Sequence, residues 1–450
     1  MLRSFRFANH RSFRDEHELL LLSAYNKDRE AVPVTALYGA NASGKSTVVD
    51  ALRFMHQAVT DSYPRWEPDE GVPRTPFKLD PRCRNDPSVY VADVVVGGVR
   101  YVYGFAVDDE RVREEWLYSY PHGRRRVLFD RDGNTLNFGS SLARIESTVQ
   151  ELIRPNALFL SLASRLRVPP VLPVYEWVRR SLRTADRSSP MSLAARLQER
   201  PGSLERVRAL LSVADLGISD LQIETVEEPM PRGYRLFLTR QRDAAREQLA
   251  AVTARLRAVS TAEERSKHES ELAALRARVD LLEARADGNE TRARSELFFV
   301  HGTSADGPLS FAEESRGTQR WLELLVPALD VLDTGSVFVV DEVDSSLHPL
   351  LVAQLIRLFR SEETNPNGAQ LLFTAHDTSL MGTALGEDVL ARDQIWFVEK
   401  DPDGASKIFP LTDFHPRKGE NPERRYLGGS YGAVPVLGDP DLGEVTRGED

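Results

Sequence analysis

Cysteine is almost absent from this 450-residue chain, and the single residue, Cys83, can form neither an internal bridge nor a thiolate cluster. Zinc sites built on paired cysteines and disulfide frameworks are thereby excluded, and nothing requires an oxidising compartment. Long apolar runs are missing too. No stretch approaches the roughly 18–20 apolar residues of a membrane span. The run Leu19-Leu20-Leu21-Leu22 follows Asp15, Glu16 and Glu18, so it reads as an amphipathic strand rather than a secretory core. A soluble, cytoplasmic chain is expected. Basic charge is not in excess: 68 acids stand against 58 bases, a formal net charge of −10, which argues against a whole-molecule polyanion binder. No repeat of roughly 20–50 residues is visible. What remains is an ordinary globular composition, 41% hydrophobic and 28% charged, on a chain long enough for a sizeable core.

Residues 1–145 read as strands around one helix. Two short strands flank a turn at Asn9-His10-Arg11, and the β-rich run Val34–Tyr38 ends in glycine before a helical pattern from about Lys45 to Met55. A proline- and charge-rich loop over 60–88 precedes Val89–Val96 and Val99–Val107, which form a hairpin by the Gly97-Gly98 cue. Residues 146–232 read as a mainly helical insertion punctuated by proline. Within 233–302, strand-like Tyr234–Thr239 and Leu297–His301 flank a segment over 241–286 that is free of Pro and Gly. Its apolar residues fall at 249, 252, 256 and 259, then at 272, 275, 279 and 282, out of register with each other. Two helices folded back as an antiparallel hairpin explain this, with arms of about 30 Å each; one long helix with a stutter is the alternative. Residues 303–437 form a last α/β part, and 438–450 a flexible acidic tail.

Gly39-Ala40-Asn41-Ala42-Ser43-Gly44-Lys45-Ser46 fits the phosphate-loop pattern G-x-x-x-x-G-K-[S/T], with a β run before it and a helical pattern after it. Gly39 and Gly44 let the backbone wrap closely around an anion, so that successive N–H groups and the helix N-terminus face it. Lys45 then neutralises β- and γ-phosphate oxygens, and the Ser46 hydroxyl ligates Mg²⁺. A chance glycine turn is the bland alternative, and the flanking context disfavours it. This site is expected to bind a nucleotide.

About 300 residues later, Val337-Phe338-Val339-Val340-Asp341-Glu342 is an apolar strand ending in two carboxylates. Asp341 is placed to hold Mg²⁺, and Glu342 to act as general base on a water. Alone, the pattern would be an ordinary strand end with solvated acids. Ser315-Arg316-Gly317-Thr318-Gln319 begins 22 residues before Val337, and Leu371-Leu372-Phe373-Thr374-Ala375-His376 is an apolar strand ending in histidine. Taken singly, these would be a helix cap and a structural histidine.

Phosphate loop, Ser-x-Gly-x-Gln, Asp-Glu strand, Asp344-Ser345-Ser346-Leu347-His348-Pro349 and histidine strand together resemble, in that order, the heads of ABC/SMC-type ATPases and their RecF-like relatives. The chain is similar, more narrowly, to bacterial AAA-family ATPases of abortive-infection and restriction-linked loci, the AbiL/RloA type. That likeness rests on Glu314-Ser315-Arg316-Gly317-Thr318-Gln319-Arg320, on Asp341-Glu342 with Leu347-His348-Pro349, and on Arg424-Arg425-Tyr426-Leu427 followed by Tyr431-Gly432-Ala433-Val434-Pro435. It runs from near residue 1 to about residue 437.

The resemblance implies an α/β fold, a P-loop NTPase head with a mixed sheet, flanking helices and an antiparallel β-subdomain, carrying an inserted helical region and a short helical hairpin. It implies ATP and Mg²⁺ as ligands. Gly39, Ala40, Asn41, Ala42, Ser43, Gly44, Lys45, Ser46 and Thr47 would bind the nucleotide, and Ser46 and Asp341 the metal. Glu342, His376 and Lys45 would be catalytic. Ser315, Gly317, Gln319 and Ser345 would meet the nucleotide of a second chain, since the signature serine of such heads cannot reach its own chain's phosphates. A homodimer around ATP follows, with higher oligomers left open. The implied role is sensor or regulator in a bacterial anti-phage system, with a separate effector protein, no membrane, and nucleic acid as a further candidate partner. No glutamine is assignable to the loop that couples lid and γ-phosphate, because Gln57 stands too close behind the phosphate loop.

Two rivals compete. A fused nuclease of the OLD type would need Glu399, Asp401 and Asp403 on a domain of about 100 residues, but these acids bracket a Pro-containing turn. A DNA-maintenance ATPase of the RecF kind would use Arg124-Arg125-Arg126 and the arginines of 165–183 on phosphates, and its binding would weaken with salt.

Overall fold

A computed structural model describes residues 1–25, 29–142, 149, 152–185, 189–200, 202–229, 232–258, 262–287, 291–302, 307–385, 388–417 and 419–435. The tail expected over 438–450 lies outside them. The chain divides into two compact units, Met1–Ser188 with Ser315–Asp450, and Ser189–Glu314. Among the described residues no helix is long and apolar enough to cross a membrane.

The first unit is an α/β fold around two sheets. One has six strands in the order Ser406–Pro410, Ile395–Lys400, Val34–Tyr38, Gln370–Thr374, Val337–Val340, Leu182–Thr184. All pairings are parallel except the outer one between Ile395–Lys400 and Ser406–Pro410. The central strands VTALY, VFVV and QLLFT are buried at every position, as continuous apolar runs covered on both faces must be. Register pairs Val340 with Phe373, Thr374 with Leu37, and Phe397 with Tyr38. Parallel strands in that register bring Gly39, Asp341, Thr374 and Lys400 to one edge of the sheet, the carboxyl edge where open α/β sheets take ligands.

The other sheet is antiparallel, seven strands in the order His17–Leu20, Leu2–Ala8, Ser88–Val96, Val99–Val107, Val112–Tyr120, Arg126–Asp132, Thr135–Phe138. Its tightest turn is the expected one. Gly97 and Gly98 take φ of 56° and 75°, the pair of positive values that a two-residue hairpin demands. The helix Lys45–Asp61 packs its Val48, Leu52 and Met55 face into the core shared with this sheet, where the Phe54 and Tyr90 rings lie 4.8 Å apart. Gln370 ties the two sheets: its side chain accepts from Leu2 N at 2.7 Å and donates to Leu2 O at 2.8 Å.

Residues 159–181, expected within a helical insertion over 146–232, instead supply two helices to this unit. Phe159–Arg165 and Leu172–Ser181 bury Phe159, Leu160, Val174 and Trp177 in the same core as Val48 and Leu52. Their apolar faces are too large to leave in water, at roughly 1.5–3 kcal/mol per buried side chain.

The second unit begins with helices Pro190–Glu199 and Ser203–Val213. They are followed by a three-stranded antiparallel sheet, Ile218–Pro229 with Thr291–His301 and Leu309–Ser310. Here the structure corrects the expectation twice. Residues 218–229 are a strand, not helix: Leu221 and Ile223 alternate with Asp220, Gln222 and Glu224 at period two, and proline punctuation upstream obscures that signal. Tyr234–Thr239 is not a strand but the start of the helix Arg232–Ala258. Its aromatic composition mimics a strand, yet burial selects Leu238, Ala245 and Val252 at seven-residue spacing and leaves Leu236 and Phe237 exposed. The return helix, Ala262–Asp287, buries Leu272 and Val279. Arg246 reaches Glu283 at 2.5 Å, so the two helices pair side by side as an antiparallel hairpin.

Candidate nucleotide site

Two glycines show why the loop after Val34–Tyr38 tolerates nothing larger. A Cβ on Gly39 would stand 2.2 Å from the Val398 carbonyl oxygen, so the loop is pressed against the neighbouring strand's backbone. Gly44, at φ 116°, is the N-cap of helix Lys45–Asp61, and a Cβ there would meet Ser406 Oγ at 2.4 Å and Ser12 Oγ at 2.8 Å. The wrapped backbone leaves a cavity of about 860 Å³ lined by Asn41, Ala42, Ser43, Gly44, Lys45, Ser46 and Thr47. Glu342, Asp344, Ser345 and His376 complete its lining, with Ser12 and Lys400.

Lys45 is buried, and its Nζ donates to Gly39 O at 2.8 Å and Ala40 O at 3.0 Å. Burial lowers its pKa, against the pull of Asp341, Asp344 and Glu342. A loop that holds its cation on its own carbonyls has that charge stored for an anion. Ser46 Oγ donates to Asp341 Oδ1 at 3.1 Å, so a hydroxyl and a carboxylate converge at the cavity edge. Those are hard oxygen donors, the set that suits Mg²⁺.

The acidic pair is held by a residue not assigned any role from sequence. Thr374, fully buried, donates its hydroxyl to Asp341 Oδ1 at 2.6 Å, and Thr374 Oγ1 in turn accepts the Glu342 N–H at 2.7 Å. Glu342 sits in the left-handed region at φ 49°, as do Ala42 at 61° and Ser346 at 65°. A side chain there costs roughly 1–2 kcal/mol, and the Thr374 hydrogen bond helps to hold Glu342 in place. Asp344 is fixed similarly, accepting from His376 N and Asp377 N at 2.7 Å each. That ties the loop after the acidic strand to the end of the histidine strand.

Ser315 caps the helix Arg316–Thr334, accepting the Thr318 N–H at 3.1 Å. Gly317 lies close to the Ser346 carbonyl, which a Cβ would approach to 3.2 Å. Gln319 lines a second cavity of about 560 Å³ with Arg53, Arg316, Asp341, Glu342 and Ser345. Glu342 and Ser345 therefore face both cavities, while Ser315 and Gly317 line neither. Lys400 and Ser12 also escaped sequence reasoning. Lys400 ends the strand beside Val34–Tyr38, and that adjacency was its only signal. Of the acids considered for a nuclease, Asp401 accepts Ala405 N within its own turn and Glu399 accepts Ala433 N from the C-terminal block.

A family model described as AAA domain, putative AbiEii toxin, Type IV TA system, matches residues 34–382, from the first residue of the phosphate-loop strand to just beyond the His376 loop. No curated protein matches the chain. Among solved structures, it is similar to the Smc head domain with an extended coiled coil bound to the C-terminal domain of ScpA, from Pyrococcus furiosus. That likeness has a TM-score of 0.38 at 14% identity, over 92% of this chain and 97% of that one.

Proposed function

We propose, for a chain that belongs to the AAA-domain family described as putative AbiEii toxin, Type IV TA system, that it binds ATP with Mg²⁺ and hydrolyses it to ADP and phosphate. One observation carries this reading: the phosphate-loop residues, Glu342 and His376 line a single cavity, and Asp341 bonds to Ser46 of the loop. Ser46 and Asp341 are the residues that would hold Mg²⁺, which supplies positive charge to the phosphate oxygens when bound. Lys45 leaves the Gly39 and Ala40 carbonyls for the β- and γ-phosphate oxygens. Glu342 accepts a proton from water as the water oxygen bonds to the γ-phosphorus, the bond to the β,γ-bridging oxygen breaks, and ADP leaves. His376 donates to a γ-phosphate oxygen. Thr374 and Asp344 are positioning residues for this set.

Ser315 and Gly317 line neither cavity of their own chain, which supports their use by a second copy. The heads would then pair head to tail around two ATP molecules, with hydrolysis releasing the pair. As a broader role we propose a sensor or regulator in a bacterial anti-phage system that acts through a separate effector. The family description and the C-terminal block at 424–435, similar to AbiL/RloA-type ATPases, support that role.

The test is ATP turnover against protein concentration, for the wild type and Glu342→Gln, with molar mass recorded in ATP. Turnover rising faster than linearly, with the mutant inactive and dimeric in ATP, is expected. Linear turnover by a monomer that ignores Glu342 would overturn the two-chain site. Salt-sensitive DNA binding by the protein alone would favour the RecF-like alternative.

A further inference from the structure

The strand Ile395–Lys400 runs beside the phosphate-loop strand and projects Lys400 past its end. Successive side chains of a strand point to opposite faces. Glu399 faces the C-terminal block, where Ala433 N donates to it at 3.4 Å, so Lys400 faces the other way, into the cavity. Its cross-strand partner is Ser406. Ser406 Oγ donates to the Ser43 carbonyl of the phosphate loop at 2.5 Å and lies 2.8 Å from Ser12 Oγ, which lies 3.2 Å from Thr47 Oγ1. This chain of hydroxyls clamps the Lys400 hairpin to the loop.

The charge of Lys400 is free. Nearby Asp401 is engaged with Lys407 at 3.8 Å and with its own turn, and Glu399 with the C-terminal block. Among the described residues no carboxylate or carbonyl pairs with the Lys400 ammonium. The polar groups around the loop fall into two clusters. Ser46 bonds to Asp341, next to the lining residue Glu342, the end assigned above to metal and γ-phosphate. Thr47, the residue after Ser46, belongs instead to the hydroxyl chain with Ser12 and Ser406, beside the Lys400 hairpin. A phosphate chain with its γ end at Glu342 and its β-phosphate in the loop's N–H cradle would direct its α-phosphate toward that second cluster.

We propose that Lys400 is a nucleotide-binding residue that neutralises the α-phosphate, complementing Lys45 at the β/γ end. This rests on the nucleotide reading of the site. A contact to the α-phosphate serves the triphosphate and the diphosphate alike, so Lys400 would hold ADP after hydrolysis as firmly as it holds ATP before it.

Affinities for a slowly hydrolysed ATP analogue and for ADP are to be measured by calorimetry on wild type, Lys400→Met and Lys400→Arg. Lys400 is exposed, so neither substitution should move the melting temperature. For Lys400→Met the dissociation constants of both nucleotides should rise by the same factor, on the order of tenfold for one charge-assisted contact to phosphate. Lys400→Arg should stay within about threefold of wild type, since it keeps the charge. Unchanged affinity in Lys400→Met overturns the proposal, as does a loss confined to the triphosphate analogue, which would move the contact to the γ-phosphate. A wild type that binds neither nucleotide overturns the underlying site instead, and is distinguishable from both.

Discussion

Replacing Thr374 by valine keeps the shape of a fully buried side chain and deletes one oxygen. That oxygen donates to Asp341 at 2.6 Å and accepts from Glu342 N at 2.7 Å. A hydrogen bond to a charged acceptor is worth about 1.5–3 kcal/mol, and an amide left without a partner costs about 1–3 kcal/mol. Both partners are only partly buried, so water replaces some of the loss, and the stability cost should be about 2–4 kcal/mol. The catalytic effect is separable. Glu342 sits at φ 49° and loses the bond that helps to hold it there, while Lys45 and the loop are untouched. Thr374→Val should therefore bind nucleotide with near wild-type affinity but turn it over roughly 10–100-fold more slowly, the usual effect of losing a partner behind a metal ligand. Its Mg²⁺ midpoint should rise, because Asp341 is no longer oriented. Thr374→Ser, which restores the hydroxyl, should recover most of the rate. The assay is steady-state ATP turnover over a Mg²⁺ titration, alongside calorimetric nucleotide affinity and a melting curve. Wild-type turnover with an unshifted Mg²⁺ midpoint in Thr374→Val would refute the assignment of Thr374 as the residue that positions the acidic pair.

Gly39→Ala should abolish nucleotide binding and destabilise the chain by at least about 1–3 kcal/mol, since its Cβ would lie 2.2 Å from a backbone oxygen; equilibrium denaturation and calorimetry check both effects. Glu115, fully buried, accepts from Tyr103 OH and from Phe159 N and Leu160 N, with the Arg131 guanidinium 3.8 Å away. Burial holds its carboxyl above the ordinary value, so its contribution to stability is fully present below about pH 4.5 and is lost as pH rises through the folded-state value. The difference in melting temperature between wild type and Glu115→Gln should accordingly shift in favour of the variant over that window, and a pH-independent difference would refute the reasoning. Cys83 is buried, and burial together with Asp80 and Asp86 raises its thiol pKa. Thiol reagents at pH 8 should modify it slowly in the folded protein and at once in denaturant, and native labelling as fast as in denaturant would count against this burial.

The phosphate loop was legible because its chemistry is local. Glycines at 39 and 44 and the lysine and serine after them act through adjacent backbone, so spacing alone identifies them. The Gly97-Gly98 hairpin belongs to that class, because two positive φ values in a row leave little choice of residue. Asp341-Glu342 and His376 follow short, wholly buried strands, and they were legible only in combination with the phosphate loop. Period-two alternation at Leu221 and Ile223 was also present in the sequence, and the aromatic start of the long helix at Tyr234 was a false strand signal. Local composition misled at Tyr234 because aromatic residues favour strands, whereas the helix buries Leu238, Ala245 and Val252 and leaves Leu236 and Phe237 exposed.

What the amino-acid order determined by itself, then, was the inventory of candidate groups: a phosphate-loop pattern, two carboxylates, a histidine and a capped helix behind a serine. The tertiary structure alone decided how they are held. Thr374 grips Asp341 across 33 positions, and Ser406 reaches the phosphate-loop carbonyl of Ser43 across 363. Lys400 enters the cavity only because a parallel strand pairs beside Val34–Tyr38, and residues 159–181 join the first core only because their apolar faces find the phosphate-loop helix. Those are contacts between segments with no sequence proximity, and sheet register and burial, which no local pattern encodes, choose among them.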